Sequence, residues 1–370
     1  MSVRKRKWTT GQGEQREAWV VDYVDQQGDR HIETFKRKKD ADEYADKVGV
    51  DVRAGVHTPA SRSITVRDAA EDWIKAVELN GRERGTVVMY RQHAGVHIFP
   101  RLGNHKLASL TAPKIHAFAD DLLASGVSRA MTRKVLTSLK ALGDAQRRGN
   151  VAQNVAATVR IKAGNERGER LKVGADFPAP DEIRRLLAAA SGRMRALLVT
   201  AVFTGLRASE LRGLHWADID LRKAELHVRR RADRYGVIGS PKSKSGQRTI
   251  PLGPMVVNTL KEWKLACPVG ELVFPTRAGS VDAHRDLMRK LKAVTKAAGV
   301  GNYGMHSLRH FYASWCINRR ADGGLELPAK VVQARLGHAS IVMTLDTYGH
   351  LFPRGDDGAE LAAAERALLG

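Results

Sequence analysis

Two aperiodic stretches decide what this chain can fold into. Residues 56–63, containing His57-Thr-Pro-Ala-Ser-Arg-Ser63, and residues 162–176, KAGNERGERLKVGAD, carry proline, glycine and mixed charge with no apolar period. Neither can place a repeating apolar face against a core, so both read as linkers. They cut the chain of 370 residues into segments 1–55, 64–162 and 177–370. Each segment then has to bury its own core, which the 43% hydrophobic content supports.

The three segments differ in period. In 1–55, Trp19 to Asp25 alternates like a strand, Gln26-Gln-Gly-Asp29 reads as a turn, and His31 to Phe35 reads as the returning strand. Lys39 to Val48 reads as a helix, giving a small α+β module with a basic edge. In 64–162 the period is helical. Val66, Ala69, Trp73 and Val77 share a face, and Thr86 to His97 forms a second helix that Pro100 and Gly103 break. Ala112 to Leu123 forms a third, with Thr111 as cap and Pro113 in the first turn. Ser128 to Arg148 forms a fourth, with Ala130, Val135, Leu139 and Leu142 among its apolar positions. Segment 177–370 is mixed but mainly helical: helices at Asp181–Ala190 and Arg193–Phe203 precede two strands, Glu225–Arg230 and Arg248–Leu252. The fold class is therefore multidomain: a small α+β module, an all-α domain, and a mainly α domain with a small antiparallel sheet.

Charge narrows the partners. The formal net charge is +22, contributed from Arg4 to Lys7, Lys36 to Lys39, Arg229 to Arg231 and Arg319 to Arg320. A basic surface so widely spread favours a polyanion, because each phosphate it neutralises releases condensed counterions. No strongly apolar amphipathic stretch accompanies it, which places nucleic acid ahead of a membrane surface. The basic N-terminus MSVRKRKW runs into polar residues, not a signal core. Two cysteines, Cys267 and Cys316, give neither a disulfide framework nor a four-cysteine zinc site and fit a reducing cytoplasm.

Four motifs in the last segment carry chemistry. In Thr204-Gly-Leu-Arg-Ala-Ser-Glu-Leu211, Gly205 ends one helix and Ala208 or Ser209 opens the next. Arg207 then sits at a helix start, aimed outward, with Glu210 able to brace it. Alone, an ordinary surface arginine is the simpler reading. In Pro241-Lys-Ser-Lys-Ser-Gly-Gln-Arg-Thr-Ile-Pro-Leu252, a turn presents Lys242 or Lys244 at a hairpin tip, where a lysine can bind phosphate, donate a proton or simply be solvated. In His306-Ser-Leu-Arg309-His310, positions 306 and 309 share a helical face and can converge on one anion. A zinc site of the HExxH kind would need glutamate where Ser307 stands, so no metal is expected. His310 reads as a packed or supporting histidine. In LGHASIVMTLDTYGHLF, Leu336 to Phe352, Tyr348 follows His338 by ten residues and is either core filler or a nucleophile. A phenol of pKa about 10 attacks only when cations and a proton acceptor attend it. Arg207, Arg309, a lysine and two histidines supply both, with donors for the charge that builds on a phosphodiester.

In chain order, Arg207, Lys242, His306-x-x-Arg309, His338 and Tyr348 resemble the tyrosine recombinases, or phage integrases. The resemblance is strong over about residues 178–353. Segment 64–162 is similar to that family's core-site DNA-binding domain, and 1–55 to its arm-site-binding domain. The resemblance implies that Arg207 and Arg309 clamp the scissile phosphate, Lys242 protonates the leaving 5′-hydroxyl, and His338 binds a phosphate oxygen. It also implies that His306 acts as, or with, the base for Tyr348, which forms a 3′-phosphotyrosyl link. Lys244 fits the turn as well; Lys242 matches the family's commoner Pro-Lys-Ser/Thr opening. No metal, cofactor or ATP is implied.

The implied partners are double-stranded DNA at core and arm sites, and a homotetramer exchanging strands through a Holliday junction. A host DNA-bending protein and an excision directionality factor accompany these, on a phage or other mobile element acting at the nucleoid in a bacterial cytoplasm. The tail, Glu360 to Leu369, is an amphipathic helix that packs on its own domain or on a neighbour. Competing readings are a non-cutting DNA-binding protein of the same fold, a type IB topoisomerase, and an RNA-binding scaffold that charge alone suggests.

Overall fold

The computed structural model describes residues 1–11, 13–59, 61–143, 154–161, 170–352 and 357–369. They fall into two compact units, 1–167 and 168–370.

The first unit opens with an antiparallel meander of β1 (Ser2–Thr9), β2 (Gln15–Val24) and β3 (Arg30–Phe35). The Gln26–Asp29 turn is held by Asp25, whose carboxylate accepts from the backbone N–H of Gln27 (2.9 Å) and Asp29 (3.0 Å). Helix α1 (Lys38–Arg53) closes one face, burying Val21, Tyr23, Ala41, Ala45 and Val48 together. β1 is not visible as a strand in the sequence. Four consecutive basic residues, Arg4 to Lys7, hide any alternation, and the pairing comes from β2: Lys5 opposes Trp19 and Lys7 opposes Glu17.

The helical part has a separate core. α2 (Val66–Leu79) begins with Thr65, whose hydroxyl accepts from Asp68 N while the Asp68 carboxylate answers to Thr65. Pro100 does not break the second helix. α3 (Arg84–Gln92) continues through a π-helical turn, His93–Ile98, into α4 (Phe99–Leu102), where the Phe99 N–H reaches back to Ala94 O. The wider ring leaves room for a proline in the first turn of α4, and the helix ends only at Gly103. α5 (Ala112–Ala124) carries the cap expected of Thr111, and α6 (Arg129–Ala141) is capped by Ser128, its expected first helical residue. Val135, Leu139 and Leu142 are buried but Ala130 is exposed; the end of that expected helix lies outside the described residues.

In the second unit α7 (Pro180–Ala189) leads into α8 (Gly192–Thr204), which is apolar nearly all round and forms the centre of the core. Ala196 to Val199, Ala201 and Val202 each show 1% exposure or less. Each buried leucine or valine there contributes about 1.5–3 kcal/mol relative to exposure. α9 (Ala208–Arg212) precedes a sheet ordered β4 (Ile219–Asp220), β5 (Glu225–Val228), β8 (Arg248–Pro251). β5 and β8 pair as expected, but they are not joined by one simple turn. A second ribbon, β6 (Arg231–Ala232) with β7 (Ile238–Gly239), is inserted between them. Then come α10 (Pro254–Ala266), α11 (His284–Ala297), α12 (Met305–Ile317), α13 (Ala329–Leu336), α14 (Ile341–Tyr348) and α15 (Asp357–Leu369).

Part of the second expected linker is built into this unit. Phe177 is 1% exposed, Leu171 packs on the core, Gly174 O accepts from the Tyr303 hydroxyl, and Leu171 O meets His350 Nε2 at 3.0 Å. Residues 162–169 lie outside the described residues. Among the described residues no helix is long and apolar enough to cross a membrane.

Candidate active site

The site starts where α8 stops. Gly205 caps that helix at φ +61°, and a Cβ there would lie 2.3 Å from the Tyr312 ring, so both backbone and space demand glycine. The turn leaves Arg207 as the N-cap of α9. Its backbone N–H donates to Glu210 Oε2 (2.9 Å), its Nη1 to Glu210 Oε1 (2.8 Å) and its Nη2 to Gly337 O (3.1 Å).

Glu210 is 3% exposed and holds a second cation. Arg248, the first residue of β8, donates Nη1 and Nη2 to its two oxygens at 3.1 and 2.9 Å. Arg248 Nε also reaches Arg335 O (2.7 Å), tying the sheet to α13. Burial pushes the Glu210 carboxyl up, but the hydrogen bonds and charges of Arg248 and Arg207 prevail and hold it below the usual glutamate value.

Arg309 lies on α12 with 1% exposure. Its Nη1 donates to Gly205 O at 2.7 Å and its Nη2 to Leu336 O. Burial, with the Arg207 charge beside it, lowers its pKa to about 9, which leaves it cationic at neutral pH. One carboxylate among three guanidiniums, those of Arg207, Arg248 and Arg309, makes the cluster cationic.

Gly337 ends α13 at φ +64°, and a Cβ there would press on Arg248 Nη1 and Ser245 O, each at 2.9 Å. His338 follows, its Nδ1 2.9 Å from Thr344 Oγ1. Burial, then the charges of Arg309, Arg207 and Arg248, lower His338 to about 4, so its ring is neutral at pH 7. Tyr348 closes α14 with 1% exposure, its ring parallel to that of His338 at 6.4 Å. It packs with Tyr312, Ile317, Val332 and Leu336, yet its hydroxyl shares a 2.8 Å hydrogen bond with His310 Nδ1. Burial pushes the phenol up to about 12; Arg309 and Arg207 pull the other way.

The structure therefore gathers Arg207, Arg309, His338 and Tyr348 around the ends of α8, α12, α13 and α14. His306 lies on α12 with part of its ring open to solvent, and the partial burial of the rest, with the nearby charges of Arg309 and Arg207, lowers its pKa. It meets His310 edge to face at 4.4 Å. Lys242 and Lys244 are both exposed on the turn between β7 and β8, and the base of that turn is anchored where Gly246 O accepts from Arg248. Two contacts are not visible in the sequence. Arg248 reads there only as part of a strand, although a buried Glu210 between two cations needs a second partner. His310 reads as packing, although its neighbour Arg309 places it one step round the same helix. Among the described residues no group of three or more His, Cys, Asp or Glu side chains is arranged to hold a metal ion.

Residues 177–354, which include all these side chains, match the phage integrase family. That segment belongs to the family. It is 26% identical over 348 residues to a XerC-like tyrosine recombinase of Caldanaerobacter subterraneus subsp. tengcongensis, covering 86% of this chain and 87% of the relative. It is 23% identical over 313 residues to the ICEBs1 integrase of Bacillus subtilis, covering 79% and 81%. Its fold is that of solved integrases. The Tn1549 transposon integrase in complex with a circular-intermediate DNA aligns with a TM-score of 0.64 at 19% identity, over 82% of this chain and 100% of that one. A lambda integrase dimer bound to a core site aligns with a TM-score of 0.61 at 19% identity, over 95% and 97%.

Proposed function

We propose that this integrase-family protein is a site-specific DNA recombinase that cuts and rejoins DNA through Tyr348. The observation that carries the reading is the Tyr348 hydroxyl, bonded to an imidazole at 2.8 Å and beside a cationic cluster that includes a buried arginine. A phenol buried only as filler would not need two arginines whose charges act on its oxygen.

In this reading the non-bridging oxygens of a phosphodiester are held by Arg207 and Arg309, with His306 and His338 donating alongside. The Tyr348 oxygen bonds to phosphorus, the P–O5′ bond breaks, and Lys242 supplies the proton that the 5′-oxygen takes. One phosphodiester replaces another, so a partner strand's 5′-hydroxyl can reverse the step without ATP. Donors aimed at the charge growing on phosphorus are each worth about 10²–10³ in rate.

The three-part division supports the same reading: an arm-site module at 1–55, a core-site domain at 64–162 and a catalytic domain at 177–370. Separate apolar cores lie within those bounds. The arm-site reading is supported by exposed Arg4 to Lys7 on β1. A homotetramer with α15 docked on a neighbour is supported by its exposed Leu361, Leu368 and Leu369. A lambda integrase tetramer has been solved on a Holliday junction, with a TM-score of 0.58 to this chain. A host DNA-bending protein and an excision directionality factor complete the proposal, with a phage or other mobile element as the DNA, acted on at the nucleoid of a bacterial cytoplasm.

Covalent trapping tests it. The full chain is mixed with nicked duplexes carrying a randomised core, denatured in SDS and mapped by peptide digestion. An adduct joining Tyr348 to a DNA 3′ end supports the reading, and reciprocal joined products separate recombination from topoisomerase-like relaxation. An adduct on another residue, or binding with no adduct at all, overturns it.

A further inference from the structure

The three histidines of the site do not face the same partner. His306 and His338 both feel the charges of Arg309 and Arg207, on the side where a phosphate would seat. His310 alone is bonded to the nucleophilic oxygen, Nδ1 to hydroxyl, at 2.8 Å. Its ring is fixed from two sides, by His306 edge-on at 4.4 Å and by Tyr348 at 5.6 Å. The family resemblance assigns proton transfer from the tyrosine to His306; the geometry assigns it elsewhere.

We propose that His310 is the proton acceptor for Tyr348, and that His306 serves the phosphate. The inference rests on the reading of Tyr348 as the nucleophile and adds the residue that activates it. With its own proton on Nε2, His310 presents the Nδ1 lone pair to the tyrosine hydroxyl. As the tyrosine oxygen bonds to phosphorus, its proton passes to Nδ1, and the P–O5′ bond breaks with the 5′-oxygen taking a proton from Lys242. In rejoining, the imidazolium returns the proton to the tyrosine oxygen as that oxygen leaves phosphorus.

The surroundings keep His310 unprotonated. Burial, then the neighbouring His306 and Arg309, lower its pKa to about 4, with Asp176 opposing them. The ring is thus neutral at pH 7. A positive charge arriving on it lies close to Arg309, which favours handing the proton back in the rejoining step. His338 and Arg207 also act on Tyr348, the first by a parallel ring at 6.4 Å and the second by charge.

The test uses the duplex recovered from the wild-type Tyr348 adduct, remade with sulfur in place of the bridging 5′-oxygen. A thiolate leaves without protonation, so a defect in the leaving-group acid disappears on this substrate and a defect in activating the nucleophile remains. His310→Asn keeps an acceptor where Nδ1 stood but is not basic; His310→Ala keeps neither. Both should cleave the oxygen substrate at least about 100-fold more slowly than wild type, with duplex binding unchanged, and neither should recover on the sulfur substrate. Lys242→Ala should recover there. His310→Asn should also gain about tenfold per pH unit from pH 7 to 9, where the phenolate of a group with pKa near 12 becomes limiting.

Wild-type rates in His310→Asn would reduce His310 to a positioning residue and overturn the proposal. Faster cleavage by His310→Ala would show that His310 restrains the tyrosine, which also overturns it. So would a sulfur-resistant defect found only in His306→Asn. If wild type forms no Tyr348 adduct on any duplex of the randomised pool, the functional reading itself fails and takes this inference with it; loss confined to the histidine variants leaves that reading intact.

Discussion

The same residue type does opposite jobs in two regions of the chain. On β1, Arg4 to Lys7 are exposed, and their partners Glu17 and Asp22 leave them open to solvent. Around Glu210, Arg248 and Arg309 are buried, and their donors are committed to carboxylate and backbone oxygens. Exposed cations add to one another and are screened by salt within about 8–10 Å, so they set how tightly DNA is held. Buried cations are weakly screened and geometrically fixed, which suits them to holding a phosphate in one place in the proposed reaction. The first region tolerates substitution one residue at a time; the second works as a unit.

The largest effect that would sharpen this contrast is at the proposed nucleophile. Tyr348→Phe should lose the covalent DNA adduct entirely on SDS gels while duplex binding, measured by fluorescence anisotropy, stays within a factor of about two of wild type, since the phenol is not a phosphate-binding charge. Loss of binding in that variant would break the separation between holding and cutting.

Next is Glu210→Ala. Removing the one carboxylate strands Arg207 and the buried Arg248 together, and breaking a buried pair costs about 3–5 kcal/mol. Urea unfolding should show that destabilisation in the 168–370 unit. A change below about 1 kcal/mol would mean the cluster relaxes like a surface pair.

Acid should also act on the buried site. His310 and His338 are depressed to about 4 in the folded state against an ordinary value of 6.5, so below 6.5 the unfolded chain binds protons that the folded chain refuses. Their contribution is neutral in effect above 6.5 and becomes a growing penalty as pH falls toward 4. Glu210, also depressed, loses its contribution only below its ordinary value of 4.5. Melts at pH 7, 5.5 and 4.5 should therefore fall steadily, and His338→Asn should flatten part of the slope.

The smallest effects belong to β1. Lys5→Ala or Lys7→Ala should each weaken DNA binding by under about 1 kcal/mol and reduce the salt slope by about 0.9 for every phosphate no longer neutralised. The cleavage rate of complexes already formed should not change. A change in that rate would mean the N-terminal strand reaches the chemistry.

Much of this molecule is legible without any coordinates. The helix cap at Thr111 is readable because a hydroxyl before an apolar period has a local job. The candidate site residues are picked out by type and order, since Gly205 marks a helix end and His306 and Arg309 are three apart. What escapes is non-local. β1 has no apolar alternation of its own and exists by pairing with β2. Pro100 is a breaker by local rule, and the π-turn before it removes the conflict. The β6–β7 ribbon is two residues per strand, too short to show a period.

The sequence by itself determined which residue types are on offer for the proposed attack on a phosphodiester, because chemistry follows residue type and helix faces follow spacing. Which histidine meets Tyr348, and that Arg248 joins Arg207 across Glu210, only the tertiary structure decided. Those contacts span 38 residues in each case, and a one-step rotation about α12 would have exchanged His310 for another face. Packing of α12 against α13, α14 and the core fixes that rotation, and local spacing carries no information about it.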